Sequence, residues 1–383
     1  MSTTLIQNTP TAVPTDLRIA LVGLGRAEIS AELARIGIEP KKIRMRTKQI
    51  FHWIYNYGVT SFDQMTNIAK PLRKTLEREF HLERPEVVER LISVDGTRKY
   101  LIRMSPGVEV ESVFIPDVSK TGALCVSSQV GCTLTCTFCH TGTQRLVRNL
   151  TAREIVLQVI IARDDLGEWP TTQENRKLTN IVFMGMGEPM LNLDAVIKAI
   201  QLFTNPDYEL VGRRRITVST SGVIPGIRRM AEERLGVKLA ISLHVTTDGT
   251  RSKLMPINRK FNLSDLLASV EAYYRATRRP ITYEYILFDG LNDSSDDARR
   301  LARIARRVPS KVNIIPFHPI DFTNPEGLAA ELRAPAPETF DRFVALLRRE
   351  GAAVMVRSSS GLDIDAACGQ LAIKHGAERL QEV

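Results

Sequence analysis

The sequence contains no run of eighteen apolar residues, which argues against a helix that crosses a membrane. Its first eighteen residues, MSTTLIQNTPTAVPTDLR, lack the basic-then-apolar layout of a secretion signal and read as a disordered tail. Cysteine is scarce: five in 383 residues, an odd number with three clustered, which excludes a disulfide framework. A reducing cytoplasm suits such thiols, and the chain is expected there. A second C-x2-C pair is missing, which weakens a structural zinc reading. The stretch Val22-Gly23-Leu24-Gly25 suggests a dinucleotide loop but lacks both the third glycine and a full preceding strand. No internal repeat is present, and no low-complexity block lies beyond the tail.

What is present suffices for a sizeable core, with 43% apolar residues. The chain carries 52 basic against 43 acidic residues, a net charge of +9. The excess is bunched. Lys41, Lys42, Arg44, Arg46 and Lys48 precede an aromatic-containing helix, Arg213 to Arg215 precede a strand, and Arg299, Arg300, Arg303, Arg306 and Arg307 decorate one helix. Each bunch alone is compatible with a solvated face, but together they point to a polyanionic substrate.

Three cysteines fall at Cys132, Cys136 and Cys139, in C-x3-C-x2-C spacing. Three thiolates hold three corners of a cubane [4Fe–4S] cluster and leave the fourth iron open, whereas four-cysteine ligation closes the cluster for electron transfer. A zinc site completed by the adjacent His140 is the alternative. The spacing resembles the signature of radical S-adenosylmethionine (SAM) enzymes. That resemblance implies SAM bound at the open iron and cleaved to a 5′-deoxyadenosyl radical, with the protein supplying orientation and a dry cavity. Phe138, beside the third cysteine, fits either this loop or plain packing.

Along the chain, residues 19–88 read as a small helical accessory domain, with Ile50, Phe51, Trp53, Ile54 and Tyr57 at helical spacing before Gly58, and Pro71 opening another helix. Residues 89–117 read as a hairpin linker around Asp95-Gly96. From 118 to 360, strands alternate with helices. Strands are predicted at Ala123–Ser127, Asn180–Gly185, Ile216–Ser219, Lys238–His244, Ile281–Phe288 and Val312–Pro316. The intervening helices are predicted at Thr151–Asp165, Asn192–Phe203, Ile224–Glu233, Asn262–Ala276, Ser294–Val308 and Pro337–Arg349. Six strand–helix units imply an α/β fold with a parallel sheet, which matches the partial (β/α)6 barrel that the radical SAM resemblance implies. Residues 361–383 form a separate C-terminal segment. The site is expected at the carboxyl ends of the strands.

Several motifs occupy such ends. Gly185-Met186-Gly187-Glu188-Pro189 follows the second strand; it reads either as a capped turn or as the SAM-amine motif, with Gly187 admitting the ligand and Glu188 accepting its ammonium. Ser219 ends the third strand, and Ser242-Leu243-His244 ends the fourth, where hydroxyls bind ribose or carboxylate or else cap a turn. His318 follows the sixth strand, where a lone histidine is more often structural. Cys368, in Asp363-Ile-Asp-Ala-Ala-Cys-Gly-Gln-Leu371, and Cys125 read by spacing as buried structural thiols, or as a working pair if the fold joins them.

Cys125-Val-Ser-Ser-Gln-Val-Gly-Cys132, the cysteine loop, Gly185–Pro189 and Asp363–Leu371, together with Gln49–Tyr55 and Phe62–Asn67, resemble the RlmN family of RNA methyltransferases over nearly the whole chain. The resemblance implies methylation of adenine carbon 2, which bears no lone pair, with two SAM molecules per turnover. One methylates Cys368, and the other yields the radical that abstracts hydrogen from the S-methyl group. The resulting methylene radical adds to the base. Cys125 then attacks Cys368 to release product with a transient disulfide. Glu111 matches the family's proton acceptor; Glu111 and Cys125 both remain candidates for taking the C2 proton. His318 stands where the family commonly has an Asn at the adenine end of SAM. The implied substrates are 23S ribosomal RNA and the tRNA adenine beside the anticodon, with the basic helical domain gripping folded RNA and the base splayed into the barrel. An external electron donor such as flavodoxin and a monomeric enzyme are expected. The rivals are a carbon-8 adenine methyltransferase and a radical SAM enzyme acting on a small molecule or peptide.

Overall fold

The computed structural model describes residues 18–371 except 120, 173, 207–209, 321–324 and 358–359. All but the last residue of the expected tail, and the end of the expected C-terminal segment, lie outside the described residues.

Three helices open the chain: α1 (Arg26–Arg35), α2 (Pro40–Tyr55) and α3 (Lys70–Glu79). Ile50, Phe51, Ile54 and Tyr55 form the buried face of α2. Pro40 sits at the first helical position, where its missing N–H costs nothing, so the helix starts there. The basic run therefore lies within α2 rather than before it, with Lys41, Lys42, Arg44 and Lys48 exposed. A short parallel pairing of Ile19–Ala20 with Phe80–His81 closes this helical unit on itself. The glycine loop before α1 is not a phosphate cradle. Gly23 N–H donates to Tyr55 Oη at 2.7 Å and Gly25 N–H to Glu28 Oε2 at 2.8 Å, so its amides are already satisfied.

Among the described residues the main sheet has ten strands whose spatial order follows the chain. Strands β1 (Glu86–Ile92), β2 (Arg98–Ser105) and β3 (Val108–Pro116) are antiparallel. The parallel set follows: β4 (Gly122–Cys125), β5 (Leu178–Phe183), β6 (Ile216–Thr220), β7 (Lys238–Ser242), β8 (Ile281–Leu287), β9 (Ser310–Pro316) and β10 (Val354–Val356). Helices α4 (Ala152–Leu166), α5 (Leu193–Phe203), α6 (Ile224–Glu232), α7 (Leu263–Thr277), α8 (Ser295–Ala305) and α9 (Pro337–Arg349) connect successive parallel strands. This is the expected α/β architecture with a parallel sheet, with six strand–helix units as expected and a seventh parallel strand, β10, that was not. The expected hairpin linker is instead an antiparallel wing of the main sheet, since Val113 of β3 pairs with Cys125 of β4.

Burial explains these elements. All seven residues of β8 are buried, as an interior parallel strand covered on both faces must be. Helix α4 begins at a reciprocal capping box: Thr151 Oγ1 accepts from Glu154 N–H, and Glu154 Oε2 accepts from Thr151 N–H. It then buries Ile155, Val156, Val159 and Ile160 and stops at Gly167, φ +63°. No described helix is long and apolar enough to cross a membrane.

Candidate active site

Two adjoining cavities open at the carboxyl ends of the parallel strands, with about 840 and 1050 Å³ of empty space. The first is lined by Cys132, Cys136 and Cys139, by Gly187 and Glu188, and by Ser219, Ser242 and His244. The second is lined by Cys125 and His318. Cys139, Cys368 and Arg357 line both.

The cysteine loop leaves β4 and is wound by its own backbone. Cys139 N–H donates to Cys136 O at 3.2 Å, and Gly142 N–H to Cys139 O at 2.9 Å. A Cβ at Gly142 would lie 2.7 Å from Cys136 O, so a larger residue would push the loop open. Phe138 anchors the loop from below. It is buried, edge-on to His244 with ring centroids 4.8 Å apart, and packed against Phe288. Burial pushes the Cys132 thiol up to about 12 and raises Cys136 and Cys139 as well. Without a metal the three sulfurs hold their protons, and metal loading must displace them.

Which group these thiols suit follows from their arrangement. Among the described residues, no three His, Cys, Asp or Glu side chains close around a single ion. His140 does not join the cavity; its Nδ1 lies 3.4 Å from Gln370 O, and its N–H donates to Gly369 O. That removes the zinc alternative. Three soft thiols spread over one cavity wall, with space beside them, suit a [4Fe–4S] cluster with one open corner.

The loop after β5 fits its neighbours only because of its glycines. Gly187 has φ +90°, and a Cβ there would lie 2.4 Å from Gln129 Cβ. Gln129 Oε1 in turn accepts from Glu188 N–H at 2.8 Å. Glu188 is buried, which raises its pKa, and its oxygens accept from Met190 N–H at 3.1 Å and Ser221 N–H at 2.8 Å. It both caps a turn and faces the cavity. Ser219 and Ser242 stand side by side on adjacent strands, hydroxyls 3.4 Å apart. Leu243 does not reach the cavity. Its side chain packs in the core, and its carbonyl accepts from Arg251 Nε at 3.3 Å. His244 adopts φ +58° and accepts Ile286 N–H on Nδ1 at 3.1 Å. Burial, helped by Arg251, drops its pKa to about 3, so the ring is neutral with its proton on Nε2.

Cys125, the last residue of β4, is buried, and burial lifts its thiol to about 12; Cys368 adds to the rise and Arg357 opposes it. Both sulfurs are free thiols in this structure. Glu111 lines neither cavity. It shares a sheet face with Cys125 and pairs with buried Lys99, Oε1 to Nζ 3.5 Å.

Comparison with known proteins decides the family. Residues 19–82 match the ribosomal RNA large subunit methyltransferase N-terminal domain, and residues 126–302 match the radical SAM superfamily. The dual-specificity RNA methyltransferase RlmN of Phenylobacterium zucineum is 51% identical over 363 residues, covering 94% of this chain and 92% of its own. That of Paracoccus denitrificans is 49% identical over 375 residues, 97% and 93% of the two chains. The chain belongs to the RlmN family of radical SAM RNA methyltransferases. A crystal structure of a radical SAM methyltransferase from Sphaerobacter thermophilus superposes with a TM-score of 0.83 at 41% identity, covering 92% of this chain and 99% of the other.

As a radical SAM enzyme, the chain works with a [4Fe–4S] cluster and SAM, and the first cavity offers thiols and polar strand ends for both. The structure adds two residues that sequence reasoning missed. Arg357 follows β10, and its Nη1 lies 3.9 Å from Cys368 Sγ and 3.7 Å from Glu284 Oε2. Glu284, on β8, faces the first cavity; burial raises its pKa, and Asn313 Nδ2 donates to its Oε1 at 2.9 Å. An acidic residue inside the apolar run Ile281–Leu287 was the available signal for Glu284. Nothing marked Arg357.

Proposed function

We propose that this enzyme methylates carbon 2 of adenine in 23S ribosomal RNA and beside the anticodon of tRNA, with Cys368 as methyl acceptor and Cys125 as releasing thiol. The observation that carries the reading is the position of Cys368, which borders both cavities while Cys125 lines only the second. A thiol there can take a methyl group on the cofactor side and present it to a base on the other. The cluster and SAM, when bound, supply the methyl group and a one-electron hydrogen abstraction. Cys132, Cys136 and Cys139 hold the cluster, while Gly187, Glu188, Ser219, Ser242 and His244 line the space for SAM. His318 lines the second cavity together with Cys139 and Cys368, and is proposed to meet the adenine end of SAM.

Release needs a nucleophile. The Cys125 thiolate attacks the Cys368 sulfur; the S–S bond forms as the S–C bond to the product breaks, and the electron pair goes to the departing carbon with a proton. Glu111, buried and ion-paired with Lys99, is the proposed acceptor of the C2 proton, reached once the RNA is bound. The exposed cations of α2 grip RNA phosphates. A monomer suffices, in a reducing cytoplasm, with an external donor such as flavodoxin.

The test is mass spectrometry of the tryptic peptide Ser358–Lys374 from protein made with its cluster intact. One methylene extra on Cys368 is expected, with 2-methyladenosine in the digested RNA. An unmodified peptide from protein that still cleaves SAM overturns the role of Cys368, and 8-methyladenosine overturns the carbon assignment.

A further inference from the structure

The segment bearing Cys368 is fastened at both ends by parts of the chain remote in sequence. Upstream, Ser93 Oγ donates to Asp363 Oδ1 at 2.5 Å and Val94 N–H to Asp363 Oδ2 at 3.2 Å. Asp95 Oδ2 accepts from Gly361 N–H at 2.9 Å, while its Oδ1 holds Thr97 N–H at 2.8 Å. Gly361 has φ +66°, and a Cβ there would lie 2.8 Å from both Ala366 Cβ and Thr97 Cγ2. The β1–β2 turn and the segment thus interlock. Lys99 of β2 adds a third tie, Nζ to Asp365 O at 3.3 Å, beside its contact with Glu111. Downstream, His140 N–H donates to Gly369 O at 2.7 Å and Thr141 Oγ1 to Leu371 O at 2.7 Å. Cys368 hangs between the hairpin turn and the first residues after the cluster cysteines.

We propose that the hairpin turn Ser93–Thr97 is a clamp that presents Cys368 at the border of the two cavities, with Ser93, Asp95 and Asp363 as positioning residues for methyl transfer. Holding this segment costs backbone entropy. Ala366, Ala367 and Leu371 are buried and offset part of it, but the turn Leu362–Ile364 buries no residue and Cys368 is exposed, so the upstream half is held by the hydrogen bonds of the hairpin turn. The same wing carries Glu111, so the clamp holds methyl carrier and proposed proton acceptor in one frame. A displacement of roughly 1 Å costs about a hundredfold in a positioned reaction, which makes such a clamp functional rather than decorative.

The inference rests on Cys368 being the methyl acceptor, and its test separates the two ideas. In the holoenzyme, Asp363→Asn turns one acceptor into a donor facing Val94 N–H, and Ser93→Ala removes the other bond. Hydrogen exchange of residues 361–371 is expected to rise about tenfold in both variants, with β5–β8 unchanged. Single-turnover S-methylation of Cys368 is expected to slow about tenfold or more, with RNA affinity intact. The double variant should be worse than either single, because Asp363→Asn loses the bond from Val94 and Ser93→Ala the bond from Ser93, and Ser93→Thr should restore both readouts. Wild-type exchange and methylation rates in the single variants overturn the clamp, as does exchange that rises equally through β5–β8. If the wild type never gains an S-methyl group, the role of Cys368 fails instead, while exchange still decides whether the clamp exists.

Discussion

Arg357 reaches the Cys368 sulfur at 3.9 Å and a Glu284 oxygen at 3.7 Å, so one guanidinium serves a thiol and a buried carboxylate together. The Cys368 sulfur, ahead of Glu284, holds that guanidinium firmly charged, and the same cation opposes the rise of the Cys125 thiol. Replacing it with the apolar Arg357→Met leaves both thiols and Glu284 without their countercharge. A further rise of about one pKa unit in the Cys125 thiol is a tenfold loss of thiolate. Turnover of Arg357→Met should fall about tenfold, its pH profile should move alkaline, and RNA affinity should hold. Arg357→Lys should recover only part, because an ammonium is more strongly hydrated and keeps the charge but not the planar, delocalised guanidinium. Steady-state kinetics over a pH series measures all three.

Cys125 supplies a second expectation. With its thiol near 12, it is protonated at neutral pH and must lose that proton to attack. Product release should therefore speed up about tenfold per pH unit on the alkaline side, until another step limits. Cys125→Ala should still methylate Cys368 but retain RNA covalently, visible as a slow-migrating band on a denaturing gel. A variant that releases RNA at the wild-type rate overturns the assignment.

Much of this was readable before the fold. The alternation of strand and helix patterns gave six units that the structure repeats within a few residues, because β-branched runs and capped amphipathic stretches are local signals. The cysteine loop, Gly187, Glu188 and the strand-end serines converge because a parallel sheet sends all its carboxyl ends to one side. Strand β10 escaped because Val354–Val356 is three half-exposed residues without a period. Arg357 was hidden with it. Leu243 misled because its neighbours on both sides face the cavity while its own side chain alternates into the core. Glu111 came from the family resemblance alone; its place on the same sheet face as Cys125 needed the register of β3 on β4, which no local pattern encodes.

Gly187 carries the most exposed stability risk at the site. Ala there meets a left-handed φ of +90° and Gln129 Cβ at 2.4 Å. Gln129 cannot retreat freely, since its Oε1 holds Glu188 N–H and its Nε2 holds Asn149 Oδ1 at 2.8 Å. Backbone strain and overpacking together should cost roughly 2–4 kcal/mol. Denaturant titration of Gly187→Ala should register that loss, along with weakened SAM binding, because Glu188 moves with its neighbour.

His244 links the same cavity to pH. Its folded pKa near 3 lies below the ordinary histidine value of 6.5, so the folded state rejects a proton that the unfolded chain accepts. The stability this represents is fully present above pH 6.5 and drains away as pH falls from 6.5 towards 3, with a slope of about 1.4 kcal/mol per pH unit for one proton. The structural reason is direct: protonating Nδ1 would destroy the bond it accepts from Ile286 N–H and put a cation in a buried site near Arg251. His244→Asn places an acceptor near the Nδ1 position, tolerates the φ of +58°, and has no proton to gain. Its denaturation midpoint should therefore fall less than that of the wild type between pH 7 and pH 5. Equal falls would mean that other groups govern acid stability and that the ring is not the sensor.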